Sequence, residues 1–578
     1  MDKYVEYPGR GLIYDRNGVL LVENNTIYDL MVTYNQIDED MDTALLCDIL
    51  GIDRPFFEEA LEKDWRSSRF SKTVPFVFLS KIPDTLGLVL KESLYQFPGF
   101  YVQERKARGY PEELAAHVLG YIREVNRKEI EDSVNVYQPG DYIGASGLEL
   151  QYEAALRGEK GARYVLKDNL GREMGKFKGG DKDIAPKAGS DLFISLDAKL
   201  QKYGEELMQH KVGSIVAIEP GTGEILAMVS APTYDPNLLT INKDRGKAYQ
   251  QLAQDSLEPF FDRSIMAQYP PGSLFKSVVA LIGMEVGALK PTRTVFCSGG
   301  YYLNGERLLG CHGHPTCTSV GMAIQHSCNA YFVTAFRDIV DRHGFYNPEK
   351  GLDEFNDYLY KFGLGHALGI DFPREKIGNY PTSTYYTDYF NRQQEGQRWN
   401  SIWIRSVGIG QGELLMTNLQ MANLAAILAN RGYYHTPHFV KKIRDIQGNE
   451  NEVSRFNEKH YVDIDSSFFE PVVDGMEKVV LAGTARSAYI PGISVCGKTG
   501  TAENNQGNQK DHSVFFAFAP KENPKIAIVT YVENAGWGGS YAAPIASLMI
   551  EKYINDTISV QRQWLEKRML EANLIDTP

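Results

Sequence analysis

Ser273-Leu274-Phe275-Lys276 sets a hydroxyl and an amine one helical turn apart, on the same face. Further on, Ser327-Cys328-Asn329 offers a hydroxyl and an amide, and Lys498-Thr499-Gly500-Thr501 a cation and two hydroxyls. Each word alone is common, but the ordered triple rarely arises by accident. Its chemistry is nucleophilic acyl transfer. A serine hydroxyl is a weak nucleophile until a base takes its proton. A lysine serves as that base only when burial or a second cation lowers its pKa. Ser273 is therefore the candidate nucleophile, Lys276 its base, and Lys498 the second cation. Ser327 is suited to relay a proton to the leaving group, and Asn329 to hold both a substrate amide and the lysine. Thr499 and Thr501 share one face of a strand and, with Lys498, suit a substrate carboxylate. Gly500 admits a close backbone approach. The backbone N–H groups of Ser273 and Thr501 are the candidate oxyanion hole.

These residues need rigid carriers. Tyr269-Pro270-Pro271-Gly272 predicts a helix opening at Ser273, where the helix N-terminus favours developing negative charge. Apolar runs at 214–219 and 224–229 flank Pro220-Gly221-Thr222-Gly223 and predict a buried hairpin. Three more strands are expected at 494–503, 512–519 and 525–533, the first of them an edge strand carrying Lys498. Between the two sets the pattern is mostly helical, with 419–430 the clearest case, ending at Gly432. Strands at both ends with helices between predict an α+β domain whose sheet is closed by its first and last elements.

The chain has 578 residues, long for one domain. Its net charge of -13 excludes a nucleic-acid binder, which needs a clustered basic face. Upstream, 10–32 reads as strands about an Asn17-Gly18 turn. The stretch 38–94 is mixed and helical, with Leu45, Leu46, Ile49 and Leu50 at helical spacing. A helix is expected from Gly147 with Leu148, Tyr152 and Leu156 on one face, then a polar Lys- and Gly-rich boundary at 176–189. The predicted divisions are an N-terminal domain at 1–185 with an insertion at about 36–105, a catalytic domain at 186–557, and a helical tail at 558–578, either docked on its own domain or frayed. No apolar run is long enough to cross a membrane.

Six cysteines are few for a disulfide scaffold of this size, yet Cys297, Cys311, Cys317 and Cys328 crowd together with His312 and His314. That density suits tetrahedral zinc. The alternative is one or two disulfides. Cys47 and Cys496 stand apart and read as packing residues.

Taken together, the three words resemble those of the penicillin-binding proteins and active-site serine β-lactamases. Over nearly its whole length the chain is similar to the class B penicillin-binding proteins, most like the penicillin-binding protein 2 group that acts in cell-wall elongation. Arg10-Gly11 with Asp15-Arg16-Asn17-Gly18, His117-Val118-Leu119-Gly120-Tyr121 and Gly144-Ala145-Ser146-Gly147-Leu148-Glu149 resemble that family's pedestal motifs. Asp197 with Leu200-Gln201, Gly223 to Met228, Gly408-Ile409-Gly410-Gln411-Gly412 and Lys498 to Glu503 resemble its catalytic motifs.

The resemblance implies a transpeptidase domain with a five-stranded antiparallel sheet and helices on both faces, standing on an elongated pedestal. It implies a peptidoglycan D,D-transpeptidase acylated at Ser273 by a D-Ala-D-Ala stem peptide, with release of D-Ala and attack by a neighbouring amine, and with β-lactams as covalent inhibitors. No cofactor is required for the acyl transfer. It also implies Cys297, Cys311, His314 and Cys328 as ligands of a structural zinc, with Cys317 or His312 as substitutes. A single N-terminal anchor in the inner membrane, outside this chain, would leave the catalytic domain in the periplasm. Partners would be a membrane-embedded glycosyltransferase and scaffold proteins of the elongation complex, with no nucleic acid. Arg10 and Asp15-Arg16 are expected to be salt-bridged fold elements rather than partner contacts. Three rival readings share the same words: a division-specific relative, a hydrolase that hands the acyl group to water, and a β-lactam sensor that keeps the serine for binding.

Overall fold

The Asn17-Gly18 turn folds the chain back on itself. Ile13–Tyr14 pairs antiparallel with the 13-residue strand Leu20–Val32, and Gly18 takes φ 85°. Asp15 steadies the turn by accepting from the N–H groups of Asn17 (2.7 Å) and Val19 (2.8 Å). This is the hairpin expected from the sequence. The computed structural model describes residues 2–66, 71–133, 136–167, 173–393, 398–503 and 510–575, in two units.

The first unit comprises Met1–Ile194 with Asp235–Gln254 and Lys442–Glu452. The far half of Leu20–Val32 pairs with Phe76–Pro83 and Phe100–Gly109. Helices Thr43–Leu50, Arg54–Leu61 and Asp84–Ser93 close over that sheet around Leu30, Leu46, Phe57, Phe78 and Phe97. Asp42 and Asp53 cap the first two helices by accepting from Leu45 N and Phe56 N.

The helix expected from Gly147 is broken at Tyr152 into Gly147–Gln151 and Glu153–Leu156. Leu148 and Leu156 are buried as expected. Glu149 and Glu153 both accept from Arg10, at 2.6 and 2.7 Å, and Glu149 also accepts from Arg108 at 2.6 Å. Arg10 is thus a salt-bridged fold element.

The polar stretch 176–189 lies inside this unit rather than at its edge. Backbone bridges Glu159↔Lys187 and Ala162↔Ile184 hold it, and the unit continues through Asp191–Ile194, which pairs parallel with Ile13–Tyr14. Backbone pairing needs no apolar side chains, so composition gave no sign of it.

The second unit comprises Ser195–Tyr234, Asp255–Lys441 and Val453–Pro578. In chain order its principal elements are α1 (Ala198–Met208), β1 (Gly213–Ile218), β2 (Ile225–Ala231), α2 (Lys276–Glu285), α3 (Val320–His326), α4 (Asn329–Val340) and α5 (Asn418–Ala429). There follow α6 (Phe469–Ala482), β3 (Cys496–Ala502), β4 (His512–Ala519), β5 (Ile526–Val532), α7 (Ala542–Asn555) and α8 (Gln563–Glu571).

The strands form one antiparallel sheet in the order β2-β1-β5-β4-β3. First and last strand sets thus close one sheet, as the sequence predicts. Every residue of β1, β2 and β5 is buried, so both faces are covered by helices. All of α5 is buried too, begun by a capping box of Thr417 and Gln420. In α8, Leu565 and Met569 turn inward one turn apart, and Lys211 donates to Met569 O at 2.7 Å. The tail is a docked helix of this unit. Among the described residues no helix is long and apolar enough to cross a membrane.

Candidate active site

Ser273 sits in a 3₁₀ turn, Gly272–Phe275, just ahead of α2, not in the α-helix itself. The prolines set the chain up, and Gly272 (φ 55°) donates to Gly410 O at 2.8 Å. A Cβ on Gly272 would lie 3.0 Å from Thr501 O and 3.5 Å from Thr501 N, so this turn abuts β3 where the oxyanion hole is expected. Gly410 (φ 74°) is packed as tightly, since a Cβ there would stand 2.0 Å from Gly272 O. β3 is the edge of the sheet among the described residues, which leaves one side of its backbone clear of other strands.

Ser327 ends α3 in the left-handed region (φ 54°, ψ 42°), and Cys328 caps α4 with its Sγ accepting from Tyr331 N at 3.4 Å. This strained corner presents Ser327 and Asn329 together. The Lys276 amine is buried and donates to Asn329 Oδ1 (2.5 Å), Ser327 O (2.8 Å) and Ser327 Oγ (3.1 Å). The Lys498 amine, equally buried, donates to Ser327 Oγ at 2.9 Å and Thr499 O at 3.0 Å. Asn329 Nδ2 donates to Gly310 O at 2.7 Å.

Burial pushes Lys276 down to about 8. Burial, and then the charge of Lys276, push Lys498 well below the ordinary lysine range. Two amines with no carboxylate among these contacts cannot both stay charged cheaply.

Ser273, Ser327, Asn329, Thr499, Gly500 and Thr501 line one cleft of ≈ 490 Å³. Two expectations are refined. The Lys276 amine makes no hydrogen bond to Ser273 among the described residues; it rests on Ser327 and Asn329 instead. Lys498 lies buried behind the cleft wall, while Thr499 and Thr501 line it.

The sequence also left parts of the wall unmarked. Thr484 Oγ1 stands 2.6 Å from Thr499 Oγ1 and lines the cleft. The His312 and Trp537 rings, both in the cleft lining, meet at a tilt of 38° with centroids 4.8 Å apart. Gly538 lies so close that a Cβ would be 2.5 Å from both Gly500 O and Val514 O. The Gly536-Trp537-Gly538-Gly539 cluster following β5 was a readable signal of close packing, whereas nothing in the sequence singled out Thr484.

Behind the Ser327–Asn329 corner, the ligating atoms of Cys297, Cys311, His314 and Cys328 all lie within 4.8 Å of one another. His314 Nδ1 faces Pro315 O at 2.7 Å, which assigns the proton to Nδ1. Its Nε2 is buried without a hydrogen-bond partner. Cys311 Sγ accepts from Ala330 N at 3.3 Å, and all six cysteines are free. An orphaned imidazole nitrogen facing three thiols fits tetrahedral zinc. Cys317 Sγ lies beside the set, 3.8 Å from His314 Nδ1, and His312 belongs to the cleft wall.

Two family models match the chain: the penicillin binding protein transpeptidase domain over residues 213–551 and the penicillin-binding protein dimerisation domain over residues 5–193. The chain is 30% identical to the peptidoglycan D,D-transpeptidase MrdA of Escherichia coli K12, with 99% of this chain and 88% of that one covered. It is 31% identical to the protein of the same name from Acinetobacter baumannii, covering 95% and 80%. The PBP2 of Helicobacter pylori, solved in complex with MreC, superposes with a TM-score of 0.78 at 25% identity over 96% of this chain and 99% of that one. A chain from a peptidoglycan synthase complex that coordinates polymerization and crosslinking gives a TM-score of 0.72 at 27% identity over 97% and 92%.

Proposed function

This chain belongs to the penicillin-binding protein transpeptidases, and from that premise we propose how its residues divide the work. The protein is a serine-type peptidoglycan D,D-transpeptidase of the elongation-specific kind. The observation that carries our assignment of roles is the meeting of two buried amines on Ser327 Oγ, in the cleft that Ser273 also lines.

In the first half-reaction the neutral Lys276 amine turns from Ser327 to Ser273 and takes its proton. Ser273 Oγ then attacks the carbonyl of the penultimate D-Ala. The N–H groups of Ser273 and Thr501 receive the developing oxyanion. Ser327 has both lone pairs occupied by lysine N–H donors, so its own proton is directed outward. It delivers that proton to the departing D-Ala nitrogen as the C–N bond breaks, and is reprotonated through the lysines. In the second half-reaction an acceptor amine attacks the ester carbon, gives up a proton, and Ser273 Oγ leaves with one. Thr499 and Thr501 hold the donor's terminal carboxylate, with the charge of Lys498 behind them, and Gly500 lets the substrate backbone come close.

Zinc held by Cys297, Cys311, His314 and Cys328 would act as a structural clamp with no open position. Cys328 lies between Ser327 and Asn329, so that clamp would fix both from behind. The chain is proposed to work outside the inner membrane, anchored there by a segment beyond the sequence described. Its first unit is the proposed contact for a scaffold protein, since the Helicobacter pylori relative was solved with MreC, and for a glycan polymerase, since another relative belongs to a synthase complex.

The test is mass spectrometry after incubation with a labelled penicillin, alongside a transpeptidation assay. One slowly released adduct on Ser273, and loss of both adduct and cross-linking in Ser273→Ala, is the expected result. Labelling of the variant, or rapid release that signals a hydrolase, would overturn the assignment.

A further inference from the structure

Thr484 and Thr499 form a pair of hydroxyls whose oxygens stand 2.6 Å apart. Two hydroxyls bring two protons, and only one can lie between the oxygens. Among the described residues neither side-chain oxygen has another hydrogen-bond partner, so the second proton has no acceptor in the protein. Both residues line the cleft. Thr499 is 8% exposed, whereas Thr484 lies at the surface. The open donor therefore faces the space where a ligand would sit.

The position of Thr484 is fixed by its surroundings. It follows α6 at Gly483, where Ala485 N–H is held by Val479 O at 3.1 Å. A Cβ on Gly539 would come 3.0 Å from Thr484 O, and Ser487 Oγ donates to Gly539 O at 2.9 Å. The backbone of Thr484 is thus clasped between α6 and the glycine loop after β5. Behind the pair, the Lys498 amine donates to Thr499 O at 3.0 Å.

We propose that Thr484 is a specificity-determining residue: its hydroxyl, coupled to that of Thr499, donates to the terminal carboxylate of the acyl donor. This rests on the transpeptidase reading above and extends its carboxylate site by one residue from a separate part of the chain. An unpaired donor in a cleft suits an anion, and a bond to a charged acceptor is stronger than one to a neutral acceptor.

The experiment compares second-order acylation constants for a penicillin with its free carboxylate and for the methyl ester of the same penicillin. Thr484→Val keeps the shape and removes the hydroxyl; Thr484→Ser keeps the hydroxyl. The carboxylate-to-ester ratio should fall about tenfold or more in Thr484→Val and return to near the unsubstituted value in Thr484→Ser. An equal loss on both penicillins, or an unchanged ratio, overturns the proposal while leaving Ser273 as nucleophile. Absence of any adduct on the unsubstituted protein would overturn the transpeptidase reading and this extension with it.

Discussion

The Lys276 amine rests on Ser327 and Asn329, and the proposed base role requires it to be neutral before it can serve Ser273. With its pKa pushed down to about 8 by burial, about a tenth is neutral at pH 7 and about nine tenths at pH 9. The working form is the deprotonated one, so acylation should rise with pH, about tenfold between those values. Loss of charge at Lys498, depressed by burial and then by Lys276, acts in the opposite direction by weakening carboxylate binding. Rates of labelled penicillin uptake, with circular dichroism at each pH to confirm the fold, test this; a flat profile would sink the lysine-base account. Ser327→Ala strips the proposed relay hydroxyl and should lower transpeptidation by about 100-fold or more. The three words were legible because each has a fixed local geometry. The resting position of Lys276 was not, because the i,i+3 spacing from Ser273 gives a shared helix face, and only the fold brings Asn329 within reach of the amine. Thr484 was invisible because it belongs to no motif, and only the fold sets its hydroxyl 2.6 Å from that of Thr499.

At the scale of elements, the turn that carries Ser273 depends on glycines packed against backbone. Gly410→Ala would combine a positive φ with a Cβ 2.0 Å from Gly272 O, and neither backbone can yield without moving Ser273, the proposed nucleophile. The expected cost is about 2–4 kcal/mol of stability, seen as a lower urea midpoint, together with loss of penicillin uptake. The proposed zinc site offers another test. Purified protein should carry about one equivalent of zinc, and Cys328→Ser should release it and lower both Tm and the acylation rate. Full stability and uptake in zinc-free protein would reject the clamp. Four of the five sheet strands were readable from apolar runs, β3 from the Lys498-Thr499-Gly500 word it carries, and α5 from its length and its Gly432 stop. The break at Tyr152 was not, since Leu148, Tyr152 and Leu156 keep helical spacing; it is the three-way pull of Arg10 and Arg108 on Glu149 and Glu153 that accompanies the broken helix.

At the scale of the whole molecule, each unit gathers pieces distant in sequence. Asp235–Gln254 and Lys442–Glu452 join the first unit. Asn237 exchanges hydrogen bonds with the backbone of Tyr110, and Arg444 pairs with Asp191 at 2.8 Å. Such returns leave no trace in composition, which is why a simple division along the chain was all the sequence suggested. Inside that unit Arg10, Arg108 and Glu149 form a buried triad. Burial acts to raise the Glu149 carboxyl, but Arg10 and Arg108 outweigh it and hold the group below its ordinary range. A depressed carboxylate stabilises the fold above its unfolded pKa, and that stabilisation drains away as pH falls through the folded value. Glu149→Gln leaves two buried guanidinium groups without their shared counter-charge, at about 3–5 kcal/mol. Calorimetry should show the first unit melting earlier, and an unchanged profile would contradict the account.

An edge strand is also a reading head. A peptide laid beside β3 can be gripped through its amides, which every residue possesses, so the enzyme gains tolerance for whatever side chains the peptide bears along that length. Discrimination must then be concentrated where the peptide ends. An inhibitor that copies the amide spacing and the terminus, while varying everything else, would meet little resistance from the protein.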